Sequence, residues 1–228
     1  MRLLYLLSAA FVGSFLLVSS AIASRIDNTR LHCYLPSHSR ILHANVQAQV
    51  YETSETLSQE SGVFGCVFGS RHIYRLGEKY PPFGDGSEGS AGIAFGALAG
   101  SVVAYEYSVG SEGYKEWVVI VRNLRTGRVL RRVPSGPSKS PSSIGAGPVV
   151  AIVVKSDGSV AWMTESKNES PSRENEFVAS REFIVFSVDK SGTHQLAVGK
   201  NIDPSSLALV GSTLYWTQGG VPASAHLI

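Results

Sequence analysis

Two cysteines carry the clearest chemistry in this 228-residue sequence. Cys33 and Cys66 form an even pair, which predicts a disulfide if the chain is exported. The alternative is a reactive thiol pair, but the C-x-x-C spacing that favours one is absent. Closing a loop of about 33 residues would stabilise the folded chain by roughly 3–4 kcal/mol. We therefore predict a structural Cys33–Cys66 bond that ties a strand at residues 31–35 to one at residues 63–68.

Three histidines, His32, His38 and His43, lie close together in the sequence. A metal site would need defined ligand spacing and a carboxylate or cysteine on the same face. One strand would present His32 and His38 on one face, but Pro36 interrupts such a strand. We therefore predict surface histidines in an irregular segment and assign no metal ligand.

Glu106 is a candidate glycosidase carboxylate because it lies in a predicted strand. Glycoside hydrolysis needs a second carboxylate at a defined separation, and the sequence offers none, so an exposed strand glutamate is the better interpretation. Trp117, Trp162 and Trp216 would suit stacking on sugars, but two of them occupy matching repeat positions, which favours core packing between sheets. Motifs for a nucleophile elbow, a Walker loop, a zincin or a zinc-binding cysteine cluster are absent. The sequence therefore assigns no catalytic residue, no cofactor-binding residue and no cofactor.

The elements that would position these residues are strands, best seen in a hairpin at residues 101–133. Residues 101–107 and 117–124 are short runs of β-branched and aromatic residues. The second run is apolar on both pleat faces, which indicates a sheet interior with packing on both sides. Asn123 and Gly127 suit a tight turn before a third strand at residues 128–133. Three successive antiparallel strands predict a meander.

Weaker copies of this hairpin recur along the chain. Residues 102–105 resemble 160–162 and 214–216, residues 121–127 resemble 186–192, and residues 67–76 form a shortened copy. Residues 92–100 are small and apolar, which suits the innermost strand of a blade. The copies are about 55 residues apart, which is longer than a WD40 unit of roughly 40–45 residues. The excess falls in polar loops, where insertions are tolerated.

On these motifs the chain resembles secreted bacterial proteins, common among actinobacteria, that are built from WD40-like or TolB-like β-propeller repeats. The motifs are V-V-A-Y at 102–105, V-R-N-L-R-T-G at 121–127 and V-D-K-S-G at 188–192. The resemblance covers most of the chain after about residue 46. It implies a propeller fold and says little about function, because many unrelated activities occur on propellers. The family's WD dipeptide is absent.

Residues 1–23 have the features of a secretory signal peptide. Arg2 supplies the positive charge, residues 3–18 form an apolar run, and Ala21-Ile22-Ala23 is a small-residue cleavage site. The alternative is a membrane anchor, but the run is slightly short for a span and the cleavage triplet follows it directly. We therefore predict a secreted, extracytoplasmic protein, and no membrane span is predicted after removal of the signal.

Residues 24–228 suit a single domain, since β architectures often reach this size as one unit. The formal net charge of the chain is +2. Arg125, Arg128, Arg131 and Arg132 cluster around one turn, and we interpret them as a solvated turn and edge strand, where charge discourages edge pairing. No nucleic-acid partner is predicted.

The predicted fold is all-β, with antiparallel four-stranded meanders arranged as a small or incomplete β-propeller, and a β-sandwich is the alternative. The sequence supplies about three and a half units, whereas propellers have roughly four to eight blades. Residues 31–35 would pair with the incomplete last unit and close a small ring. Otherwise the ring is open or is completed by a partner chain.

Three functions follow from this scaffold. The first is an exported, non-enzymatic binding or scaffold module that uses propeller-face loops to bind an unknown protein or glycan partner. The second is a carbohydrate-active or lyase-type propeller enzyme, which would need buried carboxylates or histidines with shifted pKa values converging on one face. The third is a structural cell-envelope protein. The sequence does not decide between an enzyme and a binding module.

Overall fold

The structure is a computed structural model that describes residues 33, 35–53, 62–78, 92–111, 114–136, 147–167 and 181–228. The predicted signal peptide at residues 1–23 and most of the predicted strand at residues 31–35 lie outside the described residues. The described part of the chain consists of strands and turns. Across these residues, there is no helix of the length and apolarity that a membrane span requires.

Fifteen strands among the described residues form four antiparallel sheets. Sheet 1 contains β1 (Ser39–Ala44), β2 (Ala48–Thr53), β3 (Gly62–Val67) and β4 (Ile73–Gly77). Sheet 2 contains β5 (Gly92–Ala99), β6 (Val102–Ser111), β7 (Tyr114–Asn123) and β8 (Val129–Pro134). Sheet 3 contains β9 (Val149–Val154), β10 (Val160–Lys167), β11 (Arg181–Asp189) and β12 (Gly192–Gly199). Sheet 4 contains β13 (Ala208–Val210), β14 (Thr213–Gln218) and β15 (Val221–His226). Strands bond in chain order within each sheet, which confirms the predicted meanders.

The predicted hairpin is present as β6, β7 and β8. In the turn after β7, the Asn123 side chain accepts hydrogen bonds from the backbone amides of Arg125 and Thr126. Gly127 adopts a φ of 72°, in the left-handed region that favours glycine. Residues 118–121 of β7 are all buried, which confirms that this strand packs on both faces.

The sheets are arranged radially, with their first strands side by side. β1 contacts β5, β5 contacts β9, and β9 contacts β13. The prediction that residues 92–100 supply an innermost strand is confirmed by β5. Hydrophobic clusters fill the spaces between consecutive sheets, and no cluster of the described residues joins sheet 4 to sheet 1. The fold is therefore all-β and fits a small or incomplete propeller.

In sheets 2, 3 and 4, an aromatic residue at the third or fourth position of the second strand faces the preceding sheet. Tyr105 packs in the core between sheets 1 and 2, Trp162 between sheets 2 and 3, and Trp216 between sheets 3 and 4. Core packing is thereby confirmed for Trp162 and Trp216, while Trp117 is half-buried. Tyr51 is the corresponding residue of sheet 1, on the face that no earlier sheet covers.

The predicted disulfide lies on that same face of sheet 1. Cys33 and Cys66 are bonded, with Cα atoms 6.1 Å apart, and both are buried. Tyr51 packs beside the bond and stacks on Phe64 with ring centroids 5.7 Å apart. The bond therefore fastens the segment before β1 to sheet 1, as the sequence predicts, although Cys33 itself is not in a strand.

A repeated β-bulge marks the fourth strand of each four-stranded sheet. The register shifts by one residue at Leu76 in β4, at Leu130 in β8 and at Leu196 in β12. Because a bulge increases local twist, three bulges at one position bend the outer strands alike. The sequence comparison identified the hairpins and missed this equivalence, since the leucines have different neighbours.

Candidate functional site

A cleft of about 170 Å³ opens between sheets 1 and 2, and we name it the Arg40–His43 cleft. Its polar lining comprises Arg40, His43, Glu52 and Tyr105. Its apolar wall comprises Leu42, Val50, Val63, Leu76, Ile93 and Val103. The cleft thus combines an apolar interior with a few polar groups, as ligand-binding sites commonly do.

Bulges in two first strands shape this cleft. In β1 the register shifts between Ile41 and His43, so Leu42 is the extra residue. In a regular strand Leu42 and His43 would point to opposite faces, whereas here both line the cleft. β5 has a second shift between Ile93 and Gly96. Bulges re-aim side chains in this way near binding sites.

Gly96 lies beneath the imidazole of His43. A Cβ atom added to Gly96 would lie 3.6 Å from Nε2 of His43 and 3.4 Å from the carbonyl oxygen of Ala104. The ring therefore lies directly over the backbone of β5. Both distances are those of ordinary van der Waals contact, so only a side chain larger than that of alanine would press on the imidazole.

Arg40 and Glu52 form an ion pair at the mouth of the cleft. They are directly opposed on β1 and β2, and Arg40 Nε donates to Glu52 Oε1 at 2.6 Å. The Arg40 side chain is 66% exposed and that of Glu52 only 12%. The hydrogen bond and the charge of Glu52 raise the pKa of Arg40. The guanidinium is therefore held through Nε while most of the side chain stays exposed.

The prediction of surface histidines in an irregular segment is right about the exposure of His43 and wrong about its segment, because His43 is a residue of β1. The surrounding protein nevertheless desolvates the imidazole and lowers its pKa. A neutral imidazole can both donate and accept a hydrogen bond. His38 is exposed, in a turn with a φ of 66°, and His32 lies outside the described residues. Among the described residues, no group of three or more histidine, cysteine or acidic side chains could hold a metal.

Glu106 is buried, so the prediction of an exposed strand glutamate is wrong. It is 1% exposed, and its Oε1 accepts a hydrogen bond from the backbone amide of Val149 at 2.9 Å. Burial raises the pKa of Glu106 to about 7, and the hydrogen bond partly opposes that rise. The side chain points toward sheet 3, on the face of sheet 2 opposite the cleft. Strand propensity alone does not show whether a glutamate in a strand is exposed or buried.

Other buried polar groups lie at the same junction of sheets 2 and 3, which we name the buried polar seam. The indole of Trp162 donates to the carbonyl oxygen of Ser135 at 2.6 Å. The hydroxyl of Thr164 donates to the carbonyl oxygen of Gly147 at 2.6 Å. These bonds hold the chain on both sides of the sheet 2–sheet 3 connection against β10, which indicates a structural role.

A serine, a histidine and an aspartate meet at the turn between β11 and β12. Ser191 Oγ lies 2.8 Å from His194 Nε2, and Asp189 accepts hydrogen bonds from the amide and hydroxyl of Ser191. In a hydrolase triad the carboxylate binds the other nitrogen of the imidazole. Here Asp189 lies 3.9 Å from the same Nε2 and also accepts from the amide of Ile228. The arrangement is a turn that anchors the last residues and lacks the triad geometry.

The sequence analysis did not identify Arg40 and Glu52 as site residues. One signal was available, because Tyr51-Glu52 and Tyr105-Glu106 repeat the same dipeptide at the same position of the second strand. The repeat motif of the sequence analysis ends at Tyr105 and leaves out the glutamate that follows it, so the equivalence of Glu52 and Glu106 is not apparent from that motif.

Comparisons with known proteins find no sequence match and a weak structural likeness. No protein-family model matches the chain. No curated protein matches it either. A solved structure of Kuenenia stuttgartiensis hydrazine synthase is similar over 75% of this chain and 46% of that chain, at 14% identity and a TM-score of 0.43. This chain therefore spans less than half the length of that one, and the likeness supports no statement about activity. Of the resemblance to WD40-like or TolB-like proteins, the structure supports only the all-β fold, which fits a propeller.

Proposed function

We propose that this chain is an exported, non-enzymatic binding module that receives its partner at the Arg40–His43 cleft. The N-terminal sequence supports export, and the Cys33–Cys66 bond is compatible with an oxidising compartment outside the cytoplasm. The partner is a protein or a glycan.

The observation that carries this proposal is the composition of the cleft. Its volume of about 170 Å³ is close to that of an apolar cavity of roughly 150 Å³ that holds benzene. The cleft therefore suits one compact group, such as an apolar side chain of a protein partner or a single sugar ring. The apolar wall would bury that group, and His43 with the Arg40–Glu52 pair would fix its orientation through hydrogen bonds.

The positions of His43 and Glu106 favour binding over catalysis. Acid–base catalysis requires both groups to reach one substrate, but His43 lies on the side of sheet 2 that faces sheet 1, and Glu106 lies on the side that faces sheet 3. Sheet 2 lies between them. The carboxylate that a substrate in the cleft would contact is that of Glu52, which already accepts a hydrogen bond from Arg40.

Nuclear magnetic resonance titration tests the proposal directly. Isotope-labelled chain with its disulfide intact would be titrated with N-acetyl-leucine amide, N-acetyl-phenylalanine amide and N-acetylglucosamine. We expect at least one probe to cause saturable shifts centred on the amides of Val50 and Gly96. Gly96→Val should abolish these shifts, because the added carbons would extend from the strand toward His43.

A matched variant separates occupancy of the cleft from a general effect of added bulk. Ala208→Val adds similar volume on an exposed strand residue of sheet 4 and should leave the titration unchanged. Shifts spread over the surface, or shifts that survive Gly96→Val in a folded protein, would reject the cleft as the binding site.

A further inference from the structure

A second surface, outside the cleft, carries concentrated positive charge along the outer strands of sheets 1 and 2. We name it the arginine edge, and it comprises four exposed arginines: Arg71, Arg125, Arg128 and Arg132. The stretch 123–136 contains four arginines and no acidic residue, whereas the whole chain has 20 basic and 18 acidic residues. Positive charge is therefore concentrated in this stretch, although the chain as a whole is nearly neutral.

Packing between the two sheets brings three of these arginines, Arg71, Arg125 and Arg128, to one surface, and Arg132 follows on β8. The turn after β7 lies on sheet 1, with Leu124 against Gly65 and Gly127 against the ring of Tyr74. Tyr74 also stacks on His72, with ring centroids 6.3 Å apart. Because Arg125 and Arg128 flank Gly127 while Arg71 adjoins His72, the charges of both sheets meet at this contact.

Two neighbouring arginines make side-chain contacts within the protein, whereas the side chains of these four form no ion pair or hydrogen bond with the residues that the structure describes. Arg131 donates to the carbonyl oxygen of Gly158 at 3.0 Å, and Arg75 pairs with Glu78 at 3.3 Å. No ion pair links Arg71, Arg125, Arg128 or Arg132 to an acidic residue that the structure describes. Their guanidinium groups are therefore available to an external anion.

Protection of a sheet edge does not account for this concentration of arginine. Charges on an edge strand discourage pairing with another chain, but β12, the equivalent edge of sheet 3, has the sequence GTHQLAVG and no arginine. Its preceding turn carries one acidic and one basic residue, Asp189 and Lys190. The fold therefore does not require an arginine edge at this position.

We propose that the arginine edge binds an acidic polysaccharide, a chain with closely spaced carboxylate or sulfate groups. Guanidinium groups bind such planar or tetrahedral anions through paired hydrogen bonds, and an exposed rim suits an extended polymer. Single-stranded nucleic acid shares the repeated negative charge, but its binding proteins stack bases on open aromatic faces. Here the ring of Tyr74 is packed against Gly127, which favours the polysaccharide.

Binding to labelled oligomers tests this inference. The chain, with its disulfide intact, would be titrated against a galacturonate oligomer, heparin, a neutral glucan oligomer and single-stranded DNA at about 0.1 M salt. The first two probes distinguish carboxylate from sulfate as the recognised group. We expect binding to at least one of them, and none to the neutral glucan.

The variant R125S/R128S should weaken this binding by about tenfold, since it removes two of the exposed cations. The matched variant K190S/K200S removes the same charge from exposed positions of sheet 3 and should change affinity by less than about twofold. Thermal unfolding of both variants checks that each remains folded. Absence of binding to both acidic probes, equal losses in the two variants, or tighter binding to DNA than to either polysaccharide would overturn the proposal.

Discussion

Glu52 and Glu106 occupy the same position in neighbouring sheets, yet the protein places them in opposite environments. Each follows a tyrosine in a second strand, and each points toward the sheet that comes next. Glu52 lies at the mouth of a cleft and binds the guanidinium of Arg40 at 2.6 Å. Glu106 is 1% exposed and accepts a backbone amide of sheet 3 at 2.9 Å.

The difference lies in how the next sheet approaches. Between sheets 1 and 2, the bulges of β1 and β5 leave room for solvent and for His43. Between sheets 2 and 3, the first residue of β9, Val149, comes close enough to donate its amide to the carboxyl group. One repeat position therefore yields a glutamate in a partly exposed ion pair or a fully buried acid, depending on the strand that faces it.

Removing each carboxyl group is the strongest test of this contrast. Glu106→Ala leaves the amide of Val149 buried without its acceptor and creates a cavity, so we expect a loss of about 2–4 kcal/mol in the free energy of unfolding. Glu52→Ala should cost clearly less, because water can replace the lost group at the cleft mouth. Urea denaturation at about pH 4, below the pKa of 4.5 at which burial of Glu106 begins to cost stability, measures both.

Glu106→Gln serves as the control for this prediction. Below pH 4.5, where Glu106 holds its proton in both the folded and the unfolded chain, the amide side chain keeps the shape and an acceptor oxygen for Val149, so the stability of Glu106→Gln should lie within about 1 kcal/mol of the parent chain. Equal losses for Glu52→Ala and Glu106→Ala would show that the two interfaces do not differ as the structure indicates.

The pH dependence of stability provides the second test. The pKa of Glu106 rises from 4.5 to about 7 on folding, so between these values the folded state holds a proton that the unfolded state has lost. Stability from this group is complete below pH 4.5 and declines as the pH rises through about 7. At about 1.4 kcal/mol per pKa unit, the loss is about 3 kcal/mol.

The difference between the parent chain and Glu106→Gln isolates this effect from other titrating groups. Asp189 acts in the opposite direction: burial raises its pKa, but hydrogen bonds from Ser191 and Ile228 outweigh burial and lower it to about 2. Its contribution is lost below pH 3.8, outside the window of Glu106. A flat difference curve between pH 4.5 and 7 would contradict the buried acid.

Two tryptophans extend the comparison to the third interface. The indole N–H of Trp162 donates to Ser135 at 2.6 Å, whereas the buried N–H of Trp216 has no hydrogen-bond partner among the described residues. Both lose similar volume on replacement by phenylalanine. We expect Trp162→Phe to destabilise the chain by about 1–2 kcal/mol more than Trp216→Phe, because only the former leaves a carbonyl unpaired. Chemical denaturation of both variants measures the difference, and equal losses would contradict it.

The sequence predicted those features of the fold that depend on local chemistry. Runs of β-branched residues predicted β6 and β7, the Asn123–Gly127 turn followed from side-chain capping and left-handed φ, and the cysteine pair predicted the disulfide. Each of these depends on residues adjacent in the sequence or on a single covalent pair. These predictions did not require knowledge of how the sheets pack.

The candidate site could not be predicted in the same way, because it depends on register and on packing between sheets. A single extra residue, Leu42, orients the side chain of His43 toward the cleft. The residues on either side of Leu42, Ile41 and His43, are not residue types that predict a bulge. Glu106 has the same local sequence whether sheet 3 covers it or not. Burial of such a residue is decided by the approach of Val149, which lies 43 residues further along the chain.

The Arg40–Glu52 pair should give the smallest effect on stability. Because the Arg40 side chain is 66% exposed, its attraction to Glu52 is screened by water and by salt. We expect Arg40→Ala to lower the unfolding midpoint slightly more than Arg128→Ala, an exposed arginine outside any described ion pair. This difference should vanish between about 0.1 M and 1 M salt. A difference that persists at high salt would show that the pair is enclosed, and the Glu52 interface would then resemble that of Glu106.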